Sequence, residues 1–243
     1  MSRQFTEASS QYLYRTSAVV SGYPFTVAGW FRTATTGADC LFGIGRSSDP
    51  AYYLVRILAR GDLSNVISAA RSGTEGVGEM TSGGSTYTSN TWTHFAYVAR
   101  SATDTQLYLS GSSAGTDTTN VTAPTGLDRT SIGRLFRGTD SELFYEGLAA
   151  HIAVWSADKT SNIAALAGGA NPLAYTTGLV SYWLVDGTGT DNDQYGTNHL
   201  TDSGSTTDGA SDPTVDAPPS SAVGSLTNGR TINSILRGRL ATP

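Results

Sequence analysis

One stretch, residues 143–173, constrains the fold more than any other part of this chain. Its first half, Leu143 to Trp155, is apolar, contains aromatic and β-branched side chains, and carries one formal charge, at Glu146. Such a segment is typical of a central strand in a β-sandwich. The second half holds a helical pattern from Ser161 to Ala167, which a pair of glycines ends. The stretch therefore predicts a long strand that leads into one short helix.

The rest of the chain repeats short apolar segments that are separated by polar turns. No alternation of strands and long helices is visible, so an antiparallel sandwich of roughly nine to twelve strands is favoured over a parallel sheet. Two segments, 72–90 and 111–128, are poor in apolar residues and are predicted to be loops. Two short edge strands are predicted within 3–13, and the other predicted strands are 26–33, 40–44, 52–59, 65–71, 92–100, 106–110, 131–134 and 179–185.

Composition excludes several classes of function. The 243 residues carry a net charge of -5, which provides no basic field for nucleic acid. No apolar run reaches the roughly 20 residues of a membrane helix, and the first ten residues show no secretory pattern. Cys40 is the single cysteine, so no disulfide can form within the chain. We expect no nucleic-acid partner and no membrane partner.

The charges of the C-terminal quarter are segregated. Seven Asp and no Lys or Arg lie within residues 176–217, whereas residues 218–243 contain three Arg and no acidic residue. Residues 203–229 are rich in Ser, Thr, Gly, Asp and Pro, a composition that buries too little apolar surface to order itself. We predict a domain at 1–202 and an extended arm at 203–243 that docks on other copies of the chain or on another partner surface. The predicted docking residues are Arg230, Ile232, Ile235, Leu236, Arg237, Arg239 and Leu240.

Several motifs follow one another in an order that resembles a known family. They are FTVAGWFRT at 25–33, NTWTHFAYVAR at 90–100 with LYLSG at 107–111, SIGR at 131–134, and YEGLAAHIAVW at 145–155 with its following helix. Together they resemble the laminin-G-like, concanavalin A-like domains over roughly residues 5–185. This resemblance implies an all-β, antiparallel two-sheet jelly-roll sandwich with one short helix, to which the chain adds an extended C-terminal arm.

A second, narrower resemblance concerns the setting of the protein. The segment GLVSYWLVDGTGTDNDQYGTNHLTDSG at 178–204 and the start MSRQF are similar to parts of bacteriophage and bacterial surface proteins. This implies a virion protein that is assembled in the host cytoplasm. The predicted function is a non-enzymatic structural protein, either a capsid decoration or a tail-associated protein that displays a jelly roll. The alternative is a carbohydrate-binding lectin module for host adhesion.

A calcium site is the sharpest hypothesis about a metal. Asp186, Asp191 and Asp193 lie close together in DGTGTDND, and clustered carboxylates with loop carbonyl groups are the ligands that Ca²⁺ takes. The spacing differs from that of an EF-hand loop, and Asp-Gly turns are common for backbone reasons alone. A solvated loop without metal is therefore the alternative, and no other cofactor is expected.

Catalytic patterns are weak. Glu142 and Glu146 lie four residues apart, which on a strand separates them by more than about 10 Å along one face. No G-x-S-x-G motif is present. His94 matches a packing histidine of the resembled family, so we predict that it is structural. Exposed aromatic residues could contact a glycan, and the candidates are Tyr87, Trp92, Tyr145 and Tyr195.

Overall fold

The computed structural model describes residues 2–48, 52–137 and 140–219. These residues form seventeen strands and one α-helix, α1, at Ile163–Ala167. None of their helices is long and apolar enough to cross a membrane. The strands in chain order are β1 (Arg3–Phe5), β2 (Tyr12–Arg15), β3 (Phe25–Arg32), β4 (Ala38–Gly45), β5 (Tyr53–Arg60), β6 (Val66–Gly73), β7 (Gly76–Thr81), β8 (Thr93–Ser101), β9 (Asp104–Leu109), β10 (Ser112–Asp117), β11 (Arg129–Ile132), β12 (Leu135–Arg137), β13 (Asp140–Glu142), β14 (Gly147–Trp155), β15 (Leu179–Trp183), β16 (Thr201–Ser203) and β17 (Thr207–Asp208).

Two antiparallel sheets stack to form a sandwich. The first sheet has the order β10-β9-β8-β3-β14-β1-β17, and β15 also pairs with β14. The second sheet has the order β16-β2-β11-β4-β5-β6-β7, and β12 and β13 form a separate hairpin. The prediction of an all-β, antiparallel two-sheet jelly-roll sandwich with one short helix is confirmed. The predicted arm beyond residue 219 lies outside the described residues.

The core lies between the sheets and follows the alternation of the strands. On β3, the side chains of Phe25, Val27 and Phe31 are fully buried and belong to this core. Burying side chains of this size contributes about 1.5–3 kcal/mol each. The intervening Ala28 belongs to a second apolar cluster, together with Trp155 on β14. Helix α1 packs Ile163 and Leu166 into that second cluster, so the helix covers part of the outer face of the first sheet.

The stretch 143–155 is not one continuous strand. The strand β14 begins at Gly147, which has a φ of 147° that favours glycine. Before it, the buried Tyr145 hydroxyl shares its one O–H between the carbonyl oxygens of Arg32 (3.1 Å) and Leu148 (2.9 Å). The prediction of a strand from 143 was therefore wrong at its start, because Tyr145 leaves the strand path to tie β3 to β14.

The two predicted loops each contain a strand. β7 lies within 72–90 and β10 lies within 111–128, and both form the edges of their sheets. An edge strand needs few apolar side chains, because it pairs on one side only. Accordingly, β7 alternates between exposed and covered positions, and β10 is mostly uncovered. The hydrophobic pattern alone therefore contained no signal for these strands.

After β15, the chain adds one short strand to the edge of each sheet. β16 pairs with β2, and β17 pairs with β1. Residues 209–216, which we call the covering segment, then lie on the outer face of the first sheet. The Gly209 amide donates to the Ser2 carbonyl oxygen at 2.9 Å, and the Asp216 amide donates to that of Gly169 at 2.8 Å. The domain limits 1–202 and 203–243 stay a prediction.

Candidate functional site

Four neighbouring segments bring polar and aromatic side chains into one row on the outer face of the first sheet. Gln4 on β1 pairs with Leu148 on β14, which in turn pairs with Arg32 on β3. Phe31 pairs with Thr93 at the start of β8, so Trp92 continues the row beside Arg32. Antiparallel register alone therefore assembles this row from residues that are up to 144 positions apart in the chain.

The covering segment is tied to this row through one hydroxyl group. Arg32 Nη1 donates to Ser211 Oγ at 2.6 Å, and Trp92 Nε1 donates to the same atom at 3.2 Å. These two bonds hold the Arg32 guanidinium and the Trp92 ring in defined positions on the sheet. Both side chains remain partly exposed, so they are available to a ligand from one side.

An open pocket of about 330 Å³ lies beside the row. Its walls combine N–H donors, one carboxylate and small apolar groups, which is the mixture that a polyhydroxylated ligand requires. The lining residues are Gln4, Arg32, Thr33, Ala34, Asn90, Glu146, Gly147, Leu148 and Ala210.

Hydrogen bonds to the backbone hold the polar wall of this pocket. The Thr33 hydroxyl donates to the Glu146 carbonyl oxygen at 2.6 Å, and the backbone N–H of Asn90 donates to the Thr33 carbonyl oxygen at 2.7 Å. The Glu146 carboxylate accepts from the Glu7 amide at 2.8 Å. The wall is therefore anchored at several points before any ligand enters.

A buried carboxyl group supports the pocket from behind. Asp39 is 2% exposed and accepts a hydrogen bond from the Glu146 amide at 3.0 Å. Burial raises the pKa of Asp39 to about 6, although its bonds to Glu146 and Thr35 lower it. Asp39 acts through Glu146 and does not line the pocket, so it is a positioning residue.

Carboxylates of residues 186–202, which we call the acidic loop, lie around a buried arginine. Arg3 is fully buried and donates to the carbonyl oxygens of Asp186 (2.5 Å) and Gly189 (2.7 Å). The carboxylates of Asp191 and Asp202 each lie 4.0 Å from its guanidinium group. Burial raises the pKa of Asp191 to about 7 against the opposing effect of Arg3. A guanidinium cation thus lies where the sequence suggested a calcium ion.

Asp193 has a different role from the other two predicted calcium ligands. Its carboxylate accepts from the amides of Tyr182 (2.9 Å), Tyr195 (3.0 Å) and Asn198 (3.1 Å). Within the described ranges, no group of three or more His, Cys, Asp or Glu side chains is arranged to hold a metal ion. Calcium at Asp186, Asp191 and Asp193 stays a prediction.

The aromatic residues predicted to contact a glycan separate into two groups. Tyr87 is 4% exposed and Tyr145 is 0% exposed, and both belong to the core. Trp92 lies in the row described above, whereas Tyr195 is 46% exposed in the acidic loop and does not line the pocket. The structure therefore brings one of the four candidates to the site.

The two other sets of predicted residues also have clear positions. His94 is 2% exposed and packs edge-on against Trp30 at 5.3 Å, which confirms its structural role. Burial lowers the pKa of His94 to about 3, so it is neutral near pH 7. The predicted docking residues Arg230, Ile232, Ile235, Leu236, Arg237, Arg239 and Leu240 lie outside the described residues.

Sequence reasoning missed the polar residues of the pocket. Arg32, Asn90 and Gln4 belong to different segments, and no motif or spacing connects them. Glu146 was considered only as half of a catalytic pair with Glu142. The signal that unites these residues is strand register, which hydrophobic patterning does not encode.

Solved structures of low sequence identity share this fold. A protein from Bacteroides ovatus that is proposed to bind carbohydrate is 17% identical, with a TM-score of 0.64; the match covers 89% of this chain and 60% of that protein. The CBM40 module of the Ruminococcus gnavus IT-sialidase, solved with α2,3-sialyllactose, is 12% identical (TM-score 0.55), with 61% of this chain and 84% of that chain covered. A SAP-like pentraxin from Limulus polyphemus is 15% identical (TM-score 0.51), with 68% and 81% covered.

The sequence itself identifies the family. None of the curated proteins compared with the chain matches it. A family model does match, and it spans residues 7–162, from the segment after β1 to the start of the α1 region. These residues include β2 to β14 and therefore most strands of both sheets. The chain belongs to the concanavalin A-like lectin/glucanase superfamily.

Proposed function

We propose that this protein is a carbohydrate-binding module and that the pocket beside Arg32 receives the sugar. The observation that carries the proposal is the pocket itself, about 330 Å³ in volume, in which an arginine, two amide side chains and a carboxylate meet. A sugar presents hydroxyl groups that both donate and accept hydrogen bonds. The pocket offers both kinds of partner on an anchored backbone.

The polar groups have complementary roles. The Arg32 guanidinium and the side-chain amide of Asn90 donate to sugar hydroxyl oxygens, while the Glu146 carboxylate accepts from sugar hydroxyl groups. Leu148 and Ala210 form an apolar wall against which the C–H groups of a sugar ring pack. The Trp92 ring, next to Arg32 in the row, extends this surface beyond the pocket.

The relatives of known structure support the same function. The Bacteroides ovatus protein and the CBM40 module are named for carbohydrate binding, and both share the sandwich. This likeness concerns the fold, so the ligand of this chain has to be argued from its own residues. The lectin alternative of the sequence analysis is accordingly better supported than the structural role.

We propose binding without hydrolysis. A glycosidase needs two carboxyl groups on either side of the scissile bond, separated by roughly 5–9.5 Å. Among the lining residues of the described pocket, Glu146 is the one that carries a carboxyl group. One carboxylate can fix a sugar hydroxyl, but it cannot serve as both acid and nucleophile.

The virion setting remains a separate proposal. A jelly roll displayed on a capsid or tail could present the pocket to glycans on a host surface, and the arm with Arg230 to Leu240 would hold it there. Binding of the arm to a capsid or tail protein would be shown by cross-linking. Copies of the chain that associate only with one another would contradict the capsid role.

A glycan array followed by calorimetry tests the proposed site. We expect the protein to bind a restricted set of glycans, and expect Arg32→Gln and Glu146→Gln each to weaken that binding about 10- to 100-fold, because each removes a charge-assisted hydrogen bond. Arg60→Gln and Glu79→Gln are matched controls, since these residues lie on the second sheet and do not line the pocket. The proposal fails if no glycan binds, or if both pocket variants bind as tightly as the original protein.

A further inference from the structure

A second surface, on the opposite side of the molecule, combines aromatic rings with an arginine. We call it the aromatic–arginine surface and define it by five partly exposed residues. Tyr12 and Tyr14 lie on the outer face of β2, and their ring centroids are 5.5 Å apart. Phe136 on β12 lies 5.5 Å from Tyr12, and Phe144 lies 6.0 Å from it. Arg134 completes the surface.

The Arg134 guanidinium group is held by three of these rings. Its central carbon lies 4.4 Å from the centroid of Phe136, 4.9 Å from that of Tyr12 and 5.3 Å from that of Phe144. Each distance is within the range of a cation–π contact, in which the ring face attracts the cation. Contacts from three rings restrict the guanidinium plane without using its N–H groups.

These N–H groups have no partner in the described part of the chain. Arg134 Nε is buried and makes no hydrogen bond, and no ion pair of the Arg134 side chain is found. The buried Nε atoms of Arg3, Arg56 and Arg71 lack a partner as well, but the Nη groups of these three arginines donate to carbonyl or carboxylate oxygens, whereas those of Arg134 meet no such acceptor among the described residues. A guanidinium group that three rings orient, and whose Nη groups have no partner among the described residues, is therefore free to bind an anion from outside the protein.

The backbone beneath Arg134 is also fixed. The Ser131 hydroxyl donates to the Arg134 carbonyl oxygen at 2.6 Å. β12 lies directly on β4 at Gly45, where a Cβ atom would come within 2.5 Å of the Phe136 carbonyl oxygen. The missing side chain at Gly45 therefore allows the hairpin to approach the sheet and to place Phe136 under the guanidinium group. Such prior ordering lowers the entropic cost of binding.

We propose that the aromatic–arginine surface binds the anionic group of an acidic saccharide. A planar guanidinium forks two parallel N–H bonds onto a carboxylate or a sulfate group. The ring of Tyr14, which does not hold the guanidinium group, accepts the apolar face of the sugar that carries the anion. This site is independent of the pocket beside Arg32, which lies on the other sheet.

Titration with three matched disaccharides tests the proposal. The probes carry a glucuronate, a sulfate ester or no charged group, and binding is followed by calorimetry and by NMR of the aromatic ring signals. We expect an acidic probe to bind at least 10-fold more tightly than the neutral one and to shift the ring signals of Tyr12 and Phe136. Comparison of the two acidic probes identifies which anion is preferred.

Variants of two arginines localise the effect. Arg134→Gln should weaken binding of the acidic probe at least 10-fold, and Arg134→Lys should restore part of it because the charge is kept. Arg56→Gln is the matched control: Arg56 lies on the same face over the Tyr53 ring (5.3 Å), but it pairs with Glu79 at 3.3 Å. Arg60→Gln should also leave acidic binding unchanged, because Arg60 pairs with Asp62 and lines neither the pocket nor the aromatic–arginine surface.

Two results would overturn the proposal. One is equal affinity for the neutral and the acidic probes. The other is an acidic probe that binds Arg134→Gln as tightly as the original protein. If Arg134→Gln fails to fold, the ring signals of the original protein decide, since an acidic probe that leaves the signals of Tyr12 and Phe136 unmoved refutes the site. Failure of the Arg32 pocket to bind sugar has no bearing on these results.

Discussion

The guanidinium group of Arg3 lies 4.0 Å from the carboxylate of Asp191, and both side chains are buried. Arg3 is at the start of the first strand, whereas Asp191 belongs to the acidic loop near the end of the sandwich. Thr206 contacts the same guanidinium group, because its hydroxyl oxygen accepts a hydrogen bond from Arg3 Nη1 at 3.2 Å. One arginine therefore links the beginning of the fold to its last described turns.

Removal of Arg3 should destabilise the whole domain. Arg3→Gln leaves Asp191 buried without its cation and the Asp186 and Gly189 carbonyl groups without a donor. We expect a loss of about 3–5 kcal/mol in the free energy of unfolding, measured by denaturant titration. Arg60→Gln is the control, because the exposed Arg60–Asp62 pair should contribute less than about 1 kcal/mol. Equal effects of the two variants would contradict the role of Arg3.

Calcium should leave the melting temperature unchanged. The Asp193 carboxylate is already bonded to three backbone amides, and Asp191 faces the Arg3 guanidinium. We therefore expect scanning calorimetry with added calcium and with chelator to give the same melting temperature. A rise with calcium that Asp186→Asn abolishes would instead establish the metal site predicted from the sequence.

His94 should make the fold sensitive to acid. Burial lowers its pKa from the ordinary 6.5 to about 3, so the unfolded chain binds a proton more readily than the folded protein between these values. Stability contributed by neutral His94 is complete above pH 6.5 and is lost as the pH falls towards 3. Between pH 6.5 and 4, we expect His94 to account for up to about 3 kcal/mol of the fall in the free energy of unfolding.

The variant His94→Phe provides the measurement. It keeps a ring against Trp30 but cannot titrate, so its unfolding free energy should fall less steeply between pH 6.5 and 4. Asp191, whose pKa is raised to about 7, acts with the opposite sign in the range from about 4 to 7 and is present in both proteins. The difference between the two slopes therefore isolates His94. Identical slopes would show that His94 is not buried as a neutral group.

The end of the sandwich can be located by truncation. A chain that ends at Gly204 loses the β17 pairing with β1, the buried Thr206 and the covering segment. We expect its free energy of unfolding to fall by about 2–4 kcal/mol, since several hydrogen bonds and buried groups are lost together. A chain that ends at Pro219 is the control and should retain its stability. Unchanged stability at Gly204 would support the boundary predicted at 202.

Some features of the fold could be read from the sequence because they depend on local physics. The apolar strands β3, β5 and β8 were predicted within a few residues, since their alternating or continuous apolar patterns encode burial. The helix after Trp155 followed from its spacing and its terminal glycines. The edge strands β7 and β10 escaped prediction, because one uncovered side leaves no hydrophobic pattern.

The candidate sites depend on relations that no local pattern contains. Trp92 was the one glycan candidate that lies in the row beside the pocket, next to Arg32, whereas Tyr145 entered the core and bonds the carbonyl oxygens of Arg32 and Leu148. Aromatic content predicts apolar burial and ligand contact equally well. Only the position of an aromatic residue in the sheets shows whether its side chain is buried in the core or exposed to a ligand.

The stretch 143–173 shows where sequence ends and tertiary structure begins. By itself the sequence determined a β protein with one helix, because hydrophobic period and glycine placement act over a few residues. Tertiary structure decided that Gly147 begins β14, that Glu146 faces a pocket with Arg32 and Asn90, and that Arg134 lies among aromatic rings. These decisions depend on which strands pair and in which register, and that is set by the packing of the whole sandwich.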